Sequence, residues 1–600
     1  MIDYKELGLK VGLEIHAQLD TFKLFCNCFS TMDEEVRKTI VRKLHPVPGE
    51  TGEVDIAAQH EFEKGREFYY QVFNDTTCLV ESDDEPPRGV NMQALDIAVT
   101  LANMFNCYIP DEIHFMRKTV IDGSNTSGFQ RTGIIGLNGY IKTSFGKVRI
   151  TNLQLEEDAC GIVSKHSDHV IYRMDRLGIP LVEIGTGPDA HSPKEAQELA
   201  ETIGMYLKST GKIKKGLNAI RQDINVSIKG GARVEIKGVQ SLSGIPKAVE
   251  MEVERQLNLI KLKDWISKLR FSNIEDVSDT FSNSKCKLLR GKKVFALRIS
   301  HGKGLLATKI QGDKTLGREL ADYVKAKTDA KGFIHTDEDL AKYNISEEEI
   351  NAVASVLKCQ SNDLIALVSD FPKALEKIIE RLTMFSKGVP EEVRRFNEDG
   401  TTTYMRPMPG RARMYPETDV KPIVMKIKKV KTPTLISDRI KRLKKKYGLS
   451  EDVAKALLRS NYFEIFEMYA KYNPKFIASV VTSYLRDAEK RRPLDVEDVK
   501  EILNLWRKGK ISKDGVQDLI KEVSEGKDLM EVYESKYKSK IDLEKVIDKI
   551  VKEKREFVLK NKERAIKPLM GLVMEKVRGR FPGDKIYKLL KERIDIECGD

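Results

Sequence analysis

The sequence predicts an α+β multidomain protein, with a mainly β and α+β body, an inserted α+β module and all-helical C-terminal domains. The chain has 600 residues, and a single hydrophobic core stops growing near ~250 residues. Up to about residue 265, alternating apolar and polar runs lie between Gly, Asp and Asn turns, which is typical of strands. From about residue 450, helical periodicity continues without a strand pattern of comparable length.

Changes in sequence pattern set the predicted domain boundaries. Between 266 and 392 the pattern becomes mixed strand and helix, with the apolar run KVFALRI and then a capping box formed by Ser346 and Glu349. We interpret this stretch as a module inserted into the body. The predicted domains are the body at 1–265 and 393–430, the inserted module at 266–392, a helical domain at 431–505 and a tail domain at 506–600.

Helix boundaries are clearest where a capping residue precedes a periodic run. Ser192 and Pro193 begin the run EAQELAETIGMYLKST, and Gly211 closes it. Ahead of the C-terminal helices, 426–446 contains ten basic residues and one acid, which predicts a linker leading into a basic helix. The C-terminal helical runs are SEDVAKALLRSNYFEIFEMYAKY, LDVEDVKEILNLWRKG and SKDGVQDLIKEVSEG.

The composition predicts a cytoplasmic protein. Hydrophobic residues make up 40% and charged residues 32% of the chain, which is ordinary for a globular protein. The N-terminus has no basic region followed by an apolar run, and no apolar stretch of ~18 residues occurs, so we expect no secretion and no membrane. Eight cysteines are too sparse for a disulfide framework and fit a reducing compartment.

Positive charge is concentrated in the C-terminal part. The net charge is +12, and residues 431–600 hold 41 Lys and Arg against 30 Asp and Glu, which leaves 62 against 61 in the rest. This distribution favours a near-neutral catalytic front and a rear that binds a polyanion such as tRNA. A merely soluble, Lys-rich helical tail is the alternative that charge alone leaves open.

Acidic side chains interrupt several predicted strands of the body. In KVGLEIHAQL, alternation puts Glu14 and His16 on one face of a strand. Acids inside apolar strands need a partner, and oxygen ligands with a single histidine suit Mg²⁺ or Mn²⁺ better than Zn²⁺. The alternative is that each acid faces water on a half-exposed strand. The other acids of this kind are Glu156, Glu157 and Asp158 of LQLEEDAC and Glu183 of GIPLVEIGT.

Basic residues lie on the polar faces of two further predicted strands, which contain Arg221 and Lys237. In addition, Lys118 precedes a loop of small polar residues with Gly123 and Gly128, a composition suited to holding phosphate oxygens with backbone N–H groups. The loop is not a Walker A sequence, and an ordinary surface turn is the alternative.

Cys26 and Cys28 of LFCNCFS raise the question of zinc. A strong zinc pattern needs a second closely spaced pair, and none follows, so we expect buried thiols. The sequence also lacks a Gly-rich Ser-Ser amidase stretch, a threonine-based asparaginase pattern and a cysteine nucleophile between glycines. The chain is therefore predicted not to hydrolyse glutamine itself.

Seven blocks of the sequence resemble the GatB/GatE family of tRNA-dependent amidotransferase subunits, in the family's order. The resemblance spans nearly the whole chain. The module at 266–392 is similar to the extra domain of bacterial aspartyl-tRNA synthetases, which indicates the archaeal branch, and residues from about 500 resemble the YqeY-like tail. The blocks are VGLEIHAQLDT, LQLEEDAC, DRLGIPLVEIGT, RQDINVSI, VEIKGVQSL, RRFNEDGTTTYMR and RMYPETDVKPI.

The resemblance implies a transamidation mechanism. The body would be a catalytic cradle in which ATP, with Mg²⁺, phosphorylates the γ-carboxylate of Glu-tRNA(Gln), and ammonia displaces the phosphate. The ammonia would come from an asparaginase-like glutaminase partner, in a heterodimer or heterotetramer. Two rival hypotheses remain: a non-catalytic tRNA-binding adaptor, and a metal-dependent nucleotidyl or phosphoryl transferase acting on a free small molecule.

The resemblance also implies roles for individual residues. His16, Glu157 and Glu183 look like metal ligands, with Glu156 as a rival to Glu157, and Glu14 would orient the site or the incoming ammonia. The block with Arg413, Tyr415 and Glu417 returns to the body after the insertion. The candidates for contact with ATP or acyl-phosphate are Lys118, Ser124, Asn125, Arg221 and Lys237. The candidates for contact with tRNA phosphates are Lys567, Lys576, Arg578, Arg580 and the basic run at 439–446.

Overall fold

The computed structural model describes residues 3–48, 52–216, 218–410, 414–416, 418–426, 430–538, 542–577, 579–581 and 583–598. The chain divides into two compact units, residues 1–433 and 434–600. Sheets dominate the first unit and helices form the second, which confirms the predicted α+β multidomain class. The described helices include none with the length and apolar character of a membrane span.

The strands lie in the first unit, and most helices of that unit cover its sheets. In chain order the strands are β1 Lys10–Gln18, β2 Val36–Arg42, β3 Glu67–Phe73, β4 Glu112–Ile113, β5 Phe115–Thr119, β6 Phe129–Thr143, β7 Gly146–Glu157, β8 Gly161–Lys165, β9 His169–Arg173, β10 Pro180–Thr186, β11 Ile220–Ser227, β12 Val234–Lys237, β13 Arg270–Phe271, β14 Glu275–Asp276, β15 Val294–Ser300, β16 Lys309–Gln311, β17 Lys314–Thr315, β18 Ile334–His335, β19 Leu364–Ser369, β20 Glu392–Phe396, β21 Thr402–Pro407, β22 Met414–Tyr415 and β23 Ile423–Val424.

The helices of the first unit are α1 Ile56–Phe62, α2 Met92–Met104, α3 Pro193–Ser209, α4 Gly244–Ser267, α5 Leu316–Lys327, α6 Glu347–Val356 and α7 Lys373–Lys387. Those of the second unit are α8 Ile436–Tyr447, α9 Glu451–Arg459, α10 Phe463–Tyr469, α11 Pro474–Ser479, α12 Leu485–Glu489, α13 Val496–Arg507, α14 Lys513–Ser524, α15 Leu529–Lys536, α16 Leu543–Glu553, α17 Arg555–Asn561, α18 Ile566–Val577 and α19 Gly583–Cys598.

A ten-stranded sheet is the centre of the first unit. Its strand order is β21-β20-β12-β11-β1-β10-β7-β6-β5-β22, and the pairing is antiparallel except between β12 and β20. In β1 the apolar residues Val11, Leu13 and Ile15 are buried, and α3 packs against this strand while α4 packs against β11. The alternation of the sequence therefore turns its polar residues to the opposite face of the sheet.

The predicted helix after Ser192 is confirmed as α3. The Ser192 side chain accepts a hydrogen bond from the backbone N–H of Glu195, and Pro193 occupies the first turn. The Ser192 side chain thus satisfies one of the free backbone N–H groups of the first turn. Pro193 suits the same turn because proline has no backbone N–H that would need a partner. The predicted capping box of Ser346 and Glu349 is likewise present at the start of α6.

The predicted insertion contains a sheet of its own. Strands β13, β15, β19 and β18 pair in that order, with β14 also on β15, and the run KVFALRI forms most of β15. Helices α5 and α7 pack against each other, and α7 also packs on β19. These elements combine strands and helices, and the inserted α+β domain with its similarity to aspartyl-tRNA synthetases stays a prediction.

Buried ion pairs join this module to the large sheet. Arg394 on β20 contacts Glu319 on α5 at 2.7 Å, and Arg381 on α7 contacts Glu392 on β20 at 2.6 Å. Arg255 on α4 also contacts Glu392, at 3.1 Å. All five side chains are at most 1% exposed. Because a buried charge is costly unless paired, this network favours one fixed arrangement of the four elements.

The described residues of the second unit form two hydrophobic cores. One takes side chains from Ile440 to Tyr537, and the other takes side chains from Leu543 to Ile594. The predicted boundary at 505/506 falls within the first core. The predicted basic helix is present as α8, whereas the single helical run predicted over 450–472 is divided into α9 and α10, because Ser460 adopts an extended backbone.

Candidate active site

Five neighbouring strands place a polar surface on one face of the ten-stranded sheet. His16 on β1 lies opposite Glu183 on β10 and Arg221 on β11. Residues directly opposite in antiparallel strands point to the same face, so these side chains converge. On β7, Glu156 lies opposite Thr132 of β6 on this face.

A carboxylate–imidazole cluster lies at the centre of this surface. His16 Nε2 is 3.2 Å from Glu183 Oε2 and 3.4 Å from Glu14 Oε1. Candidate ligand atoms of the three residues lie within 4.8 Å of one another. The predicted shared face of Glu14 and His16 is present, and Glu183 joins it from the neighbouring strand.

Lys118 and Glu156 extend the cluster. Lys118 Nζ, on β5, is 2.9 Å from Glu183 Oε2 and 3.2 Å from Glu156 Oε2. The Thr132 hydroxyl donates a hydrogen bond to the same oxygen of Glu156 at 3.1 Å. Glu156 is 1% exposed. One lysine therefore bridges two buried carboxylates, and Glu156 belongs to the cluster.

Glu157 is not brought to the cluster, although the sequence favoured it over Glu156 as a metal ligand. It points to the other face of β7, where Arg131 donates to it from the backbone N–H at 3.1 Å and lies 3.3 Å away through Nη1. Arg131 also pairs with Asp419 at 2.7 Å. Alternation along the strand is the physical reason, since adjacent residues cannot share a face.

The charges of the cluster depend on one another. Burial lowers the pKa of His16, but its hydrogen bond to Glu183 and the nearby carboxylates raise that pKa to about 9. Burial alone would raise the pKa of Glu183, but Lys118 and His16 hold it well below its usual value. Burial raises the pKa of Glu14 and of Glu156. Positive charge is thus already stabilised at this position.

Two predicted phosphate-binding cations lie on the same face, each held by an acid. Arg221 Nη2 donates to Asp158 at 2.8 Å, and Arg176 also pairs with Asp158 at 3.2 Å. Lys237 pairs with Asp223 and Glu235, both at 2.5 Å. These acids fix the direction of the cations, which remain about 28% and 27% exposed at their side chains.

The predicted phosphate loop turns sharply at its two glycines. Gly123 and Gly128 have φ of 87° and 76°, which other residues rarely adopt. A Cβ atom on Gly123 would lie 2.2 Å from the Phe68 ring. The Ser124 hydroxyl donates to Asp122 at 2.6 Å, and buried Asn125 lines a small cavity together with Glu157. The loop therefore borders the Glu157 side of the strands.

The chain matches two family models. The description "GatB/GatE catalytic domain" matches residues 9–431, and "GatB domain" matches residues 462–594. The chain belongs to the GatB/GatE family. This membership confirms the resemblance on which the residue roles were predicted.

Curated relatives of the GatB/GatE family match the chain over its full length. The E subunit of glutamyl-tRNA(Gln) amidotransferase from Methanocaldococcus jannaschii is 43% identical, and the protein of that name from Archaeoglobus fulgidus is 44% identical. The Saccharolobus solfataricus protein of that name is 41% identical. Each match covers 99% of both chains. The prediction of an amidotransferase enzyme is thereby confirmed.

The GatB/GatE catalytic domain holds a second possible metal site, at the cysteines. Cys26, Cys28, Cys78 and Glu81 place ligand atoms within 4.8 Å of one another. The thiols of Cys26 and Cys28 lower the pKa of the Cys78 thiol through hydrogen bonds. Three sulfur atoms and a carboxylate are ligands that suit zinc, while the expectation of buried thiols holds for Cys26, and Cys28 is partly buried. The sequence hid the site because Cys78 and Glu81 lie some 50 residues away and do not form a second CxxC pair.

Several predicted residues lie away from the cluster or outside the described residues. Lys567 and Lys576 are exposed on α18, and Arg580 is partly buried just after it. Tyr415 belongs to β22, which pairs with β5 and so returns the chain to the sheet of Lys118 after the insertion. Arg413, Glu417 and Arg578 lie outside the described residues.

Sequence reasoning missed three contacts that hold charged side chains of these strands in place. Asp158 holds Arg221, Thr132 donates to Glu156, and Asp419 holds Arg131. Asp419 is the last residue of YPETD, within the block RMYPETDVKPI, so its place in a block after the insertion was the one available indication. Thr132 belongs to a β strand with no unusual composition, and only the strand register reveals its role.

Proposed function

We propose that this chain converts glutamate attached to tRNA(Gln) into glutamine, using ATP, Mg²⁺ and ammonia. The observation that carries the proposal is the buried polar face of the large sheet, where Glu14, His16, Glu183, Glu156 and Lys118 converge. The names of the relatives support the same substrate. Titratable groups with shifted pKa values that gather on one sheet face are typical of a functional site.

The donor set fits a magnesium ion. His16 and Glu183 would hold it, with Glu156 in place of Glu157, while the Glu14 carboxylate lies beside them. Carboxylate oxygens are the ligands that Mg²⁺ prefers, and buried carboxylates already draw positive charge to this position through Lys118. When bound, the ion supplies charge neutralisation for the phosphate groups.

Activation of the substrate carboxylate is the chemical need. A carboxylate is a poor electrophile, so its γ-oxygen attacks the γ-phosphorus of ATP, and the bond to ADP breaks. The nitrogen of ammonia then attacks the γ-carbonyl carbon, and phosphate leaves with the electron pair of the C–O bond. The Glu14 carboxylate, at the edge of the cluster and 30% exposed, is placed to accept the proton that the attacking nitrogen loses.

The fixed cations of the sheet stabilise the transferred phosphate. Lys118, Arg221 and Lys237 lie on its polar face, and the first two approach the cluster from opposite sides. Asp158 and Asp223 hold Arg221 and Lys237 in place before substrate arrives. Preorganised charge of this kind is worth more than mobile charge because no reorganisation is needed during the reaction.

Ammonia and tRNA reach the site from outside the chain. The sequence lacks the glutaminase patterns, so an asparaginase-like glutaminase partner would supply ammonia in a heteromeric cytoplasmic complex. The basic C-terminal unit would hold tRNA(Gln), with Lys567, Lys576 and Arg580 exposed or partly exposed on α18 and just after it. A basic surface suits this role because phosphate contacts dominate the affinity for RNA.

The test is amide formation by the purified chain. Glu-tRNA(Gln), ATP and Mg²⁺ are supplied with either ammonium chloride or glutamine, and Gln-tRNA(Gln) is measured. We expect product with ammonium and none with glutamine until the glutaminase partner is added. Absence of product and of tRNA-dependent ADP formation with either donor and with the partner present would instead favour the adaptor. ATP turnover without tRNA would favour the small-molecule transferase.

A further inference from the structure

A surface patch of the C-terminal unit combines aromatic and basic side chains. It forms where the 470–473 turn, between α10 and α11, meets the 508–512 turn, between α13 and α14. Tyr472 is 44% exposed, and the basic residues around it are exposed. We call this the Tyr472 patch, and its members are Lys471, Tyr472, Arg507, Lys508, Lys510 and Lys513.

Specific contacts hold the two turns together. Arg507 Nη1 donates a hydrogen bond to the Tyr472 hydroxyl at 3.2 Å. Beneath them the rings of Phe476 and Trp506 lie 4.9 Å apart, and Lys513 Nζ is 5.4 Å from the Phe476 ring. The Tyr469 hydroxyl donates to the Lys500 carbonyl at 3.2 Å, which ties α10 to α13. The patch is therefore a fixed surface rather than two independent loops.

Among the described residues, the cations of the patch have no acidic partner in an ion pair, unlike several other lysines of the unit. Within the described part of the chain, Lys508, Lys510 and Lys513 make no ion pair. By contrast, Lys490 pairs with Asp487, and Lys527 and Lys536 both pair with Glu522. Unpaired exposed cations beside one another repel, so their grouping indicates a surface that receives an anion.

The patch is continuous with the tail. The Ser512 backbone N–H donates to the Gly579 carbonyl at 2.8 Å, directly ahead of Lys513. A Cβ atom on Gly515 would lie 2.4 Å from the same carbonyl oxygen, so the two backbones meet without a side chain between them. Arg580 directly follows Gly579, and Lys576 lies three residues before Gly579. The end of α18 and the residues that follow it, including Arg580, thus lie beside the start of α14.

We propose that the Tyr472 patch is an RNA-binding site, at which an unpaired base stacks on Tyr472 while Lys508, Lys510 and Lys513 contact the flanking phosphates. The inference rests on the proposed function, because that function makes tRNA the polyanion. It extends the RNA surface from the tail onto the α10–α14 region. RNA binds such surfaces because every base has a face that stacks on an aromatic ring.

The chemistry favours RNA over a protein partner. A protein interface has a core depleted in lysine, whereas this patch has four exposed lysines, an arginine and one exposed tyrosine. Lysines without ion pairs match a phosphate backbone, because each lysine that contacts a phosphate releases a counterion. Contact with an acidic protein is the outcome that the experiment must distinguish.

The test is the affinity of the full chain for a tRNA(Gln) transcript as a function of salt. The triple variant Lys508→Ala, Lys510→Ala, Lys513→Ala should reduce the slope of log affinity against log salt by about 2 to 3. The matched control is Lys490→Ala, Lys527→Ala, Lys536→Ala, which removes the same charge from ion-paired positions and should leave the slope close to that of the unaltered chain. Thermal melting confirms that each variant is folded.

The tyrosine is tested separately. Tyr472→Ala should weaken tRNA binding about tenfold, and Tyr472→Phe, which keeps the ring, should stay within about twofold of the unaltered chain. Equal affinities and slopes for patch and control variants would overturn the inference. So would unchanged tRNA affinity together with lost association with the ammonia-producing partner, which would assign the patch to a protein contact. Binding is measured without catalysis, so failure of the proposed function would appear separately, as absence of Gln-tRNA(Gln) from the unaltered chain.

Discussion

At the scale of single residues, adjacent glutamates on one strand have different surroundings. Glu156 lies beside Lys118 and Thr132 on the polar face, whereas Glu157 pairs with Arg131 on the other. The sequence LQLEEDAC placed acids in an apolar strand, but both neighbours fit the pattern equally. Only the register of β7 against β6 and β10 decides which one faces the site.

Exchange of each glutamate for glutamine tests this division. Glu156→Gln should lower the rate of amide formation at least ~100-fold, because it removes charge that stabilises the phosphate-transfer step. Glu157→Gln should keep more of that rate and lower the free energy of unfolding by about 1–3 kcal/mol, because Arg131 loses a buried partner. Ammonium-dependent product formation and urea unfolding measure the two effects. Loss of activity in Glu157→Gln alone, with Glu156→Gln active, would return the ligand role to Glu157.

At the scale of elements, local patterns predicted the strands and caps well. β1, α3 and the capping box of α6 follow from alternation and from capping residues that act within a few positions. The cysteine cluster did not follow, because it needs two loops 50 residues apart to meet. The sequence predicted that Arg221 and Lys237 are cations of the site. It did not predict their acidic partners Asp158 and Asp223, because residue spacing alone does not show which side chains meet in the folded sheet.

Metal analysis tests the cysteine cluster as a zinc site. The purified chain should contain about one zinc, and Cys78→Ser should lose it and lower the melting temperature by roughly 4 °C or more, because the ligands bring two loops together. Cys107→Ser is the matched control, since Cys107 is a partly buried thiol outside the cluster. A zinc-free chain with unaltered stability in Cys78→Ser would exclude a structural metal here.

The buried ion pairs between the inserted module and β20 predict a pH dependence of stability. Burial would raise the pKa of Glu392, but Arg381, Arg394 and Arg255 lower it from 4.5 to about 2. Because the pKa is lowered on folding, this stabilisation is fully present above about pH 4.5 and is lost as the pH falls towards 2. At pH 7 it amounts to about 3 kcal/mol.

Glu392→Gln should therefore lower the free energy of unfolding at pH 7 by about 3 kcal/mol and flatten its fall between pH 4.5 and 2. Denaturant unfolding at several pH values measures this. The control is Asp313→Asn, which alters a 91% exposed acid of the same module and should leave the curve unchanged. A Glu392→Gln curve parallel to that of the unaltered chain would contradict the account.

At the scale of the whole molecule, charge separates the two units. Residues 431–600 carry an excess of 11 basic residues, from 41 against 30, while the rest is nearly neutral at 62 against 61. This division could be predicted from the sequence, because the net charge of a segment depends only on its amino-acid composition. The Tyr472 patch was not visible, since its two turns lie more than 30 residues apart and only packing of α10 against α13 joins them.

The proposed function requires the polar sheet face to activate the glutamyl carboxylate by phosphorylation. The most direct measurement supplies Glu-tRNA(Gln), Mg²⁺ and ATP labelled in its γ-phosphate, without a nitrogen donor, and follows label on the aminoacyl group. We predict labelled acyl-phosphate with the unaltered chain, its disappearance with release of phosphate on addition of ammonium, and at least ~100-fold slower labelling in Glu183→Gln. Formation of Gln-tRNA(Gln) without phosphate transfer from ATP, or full labelling by Glu183→Gln, would contradict the account.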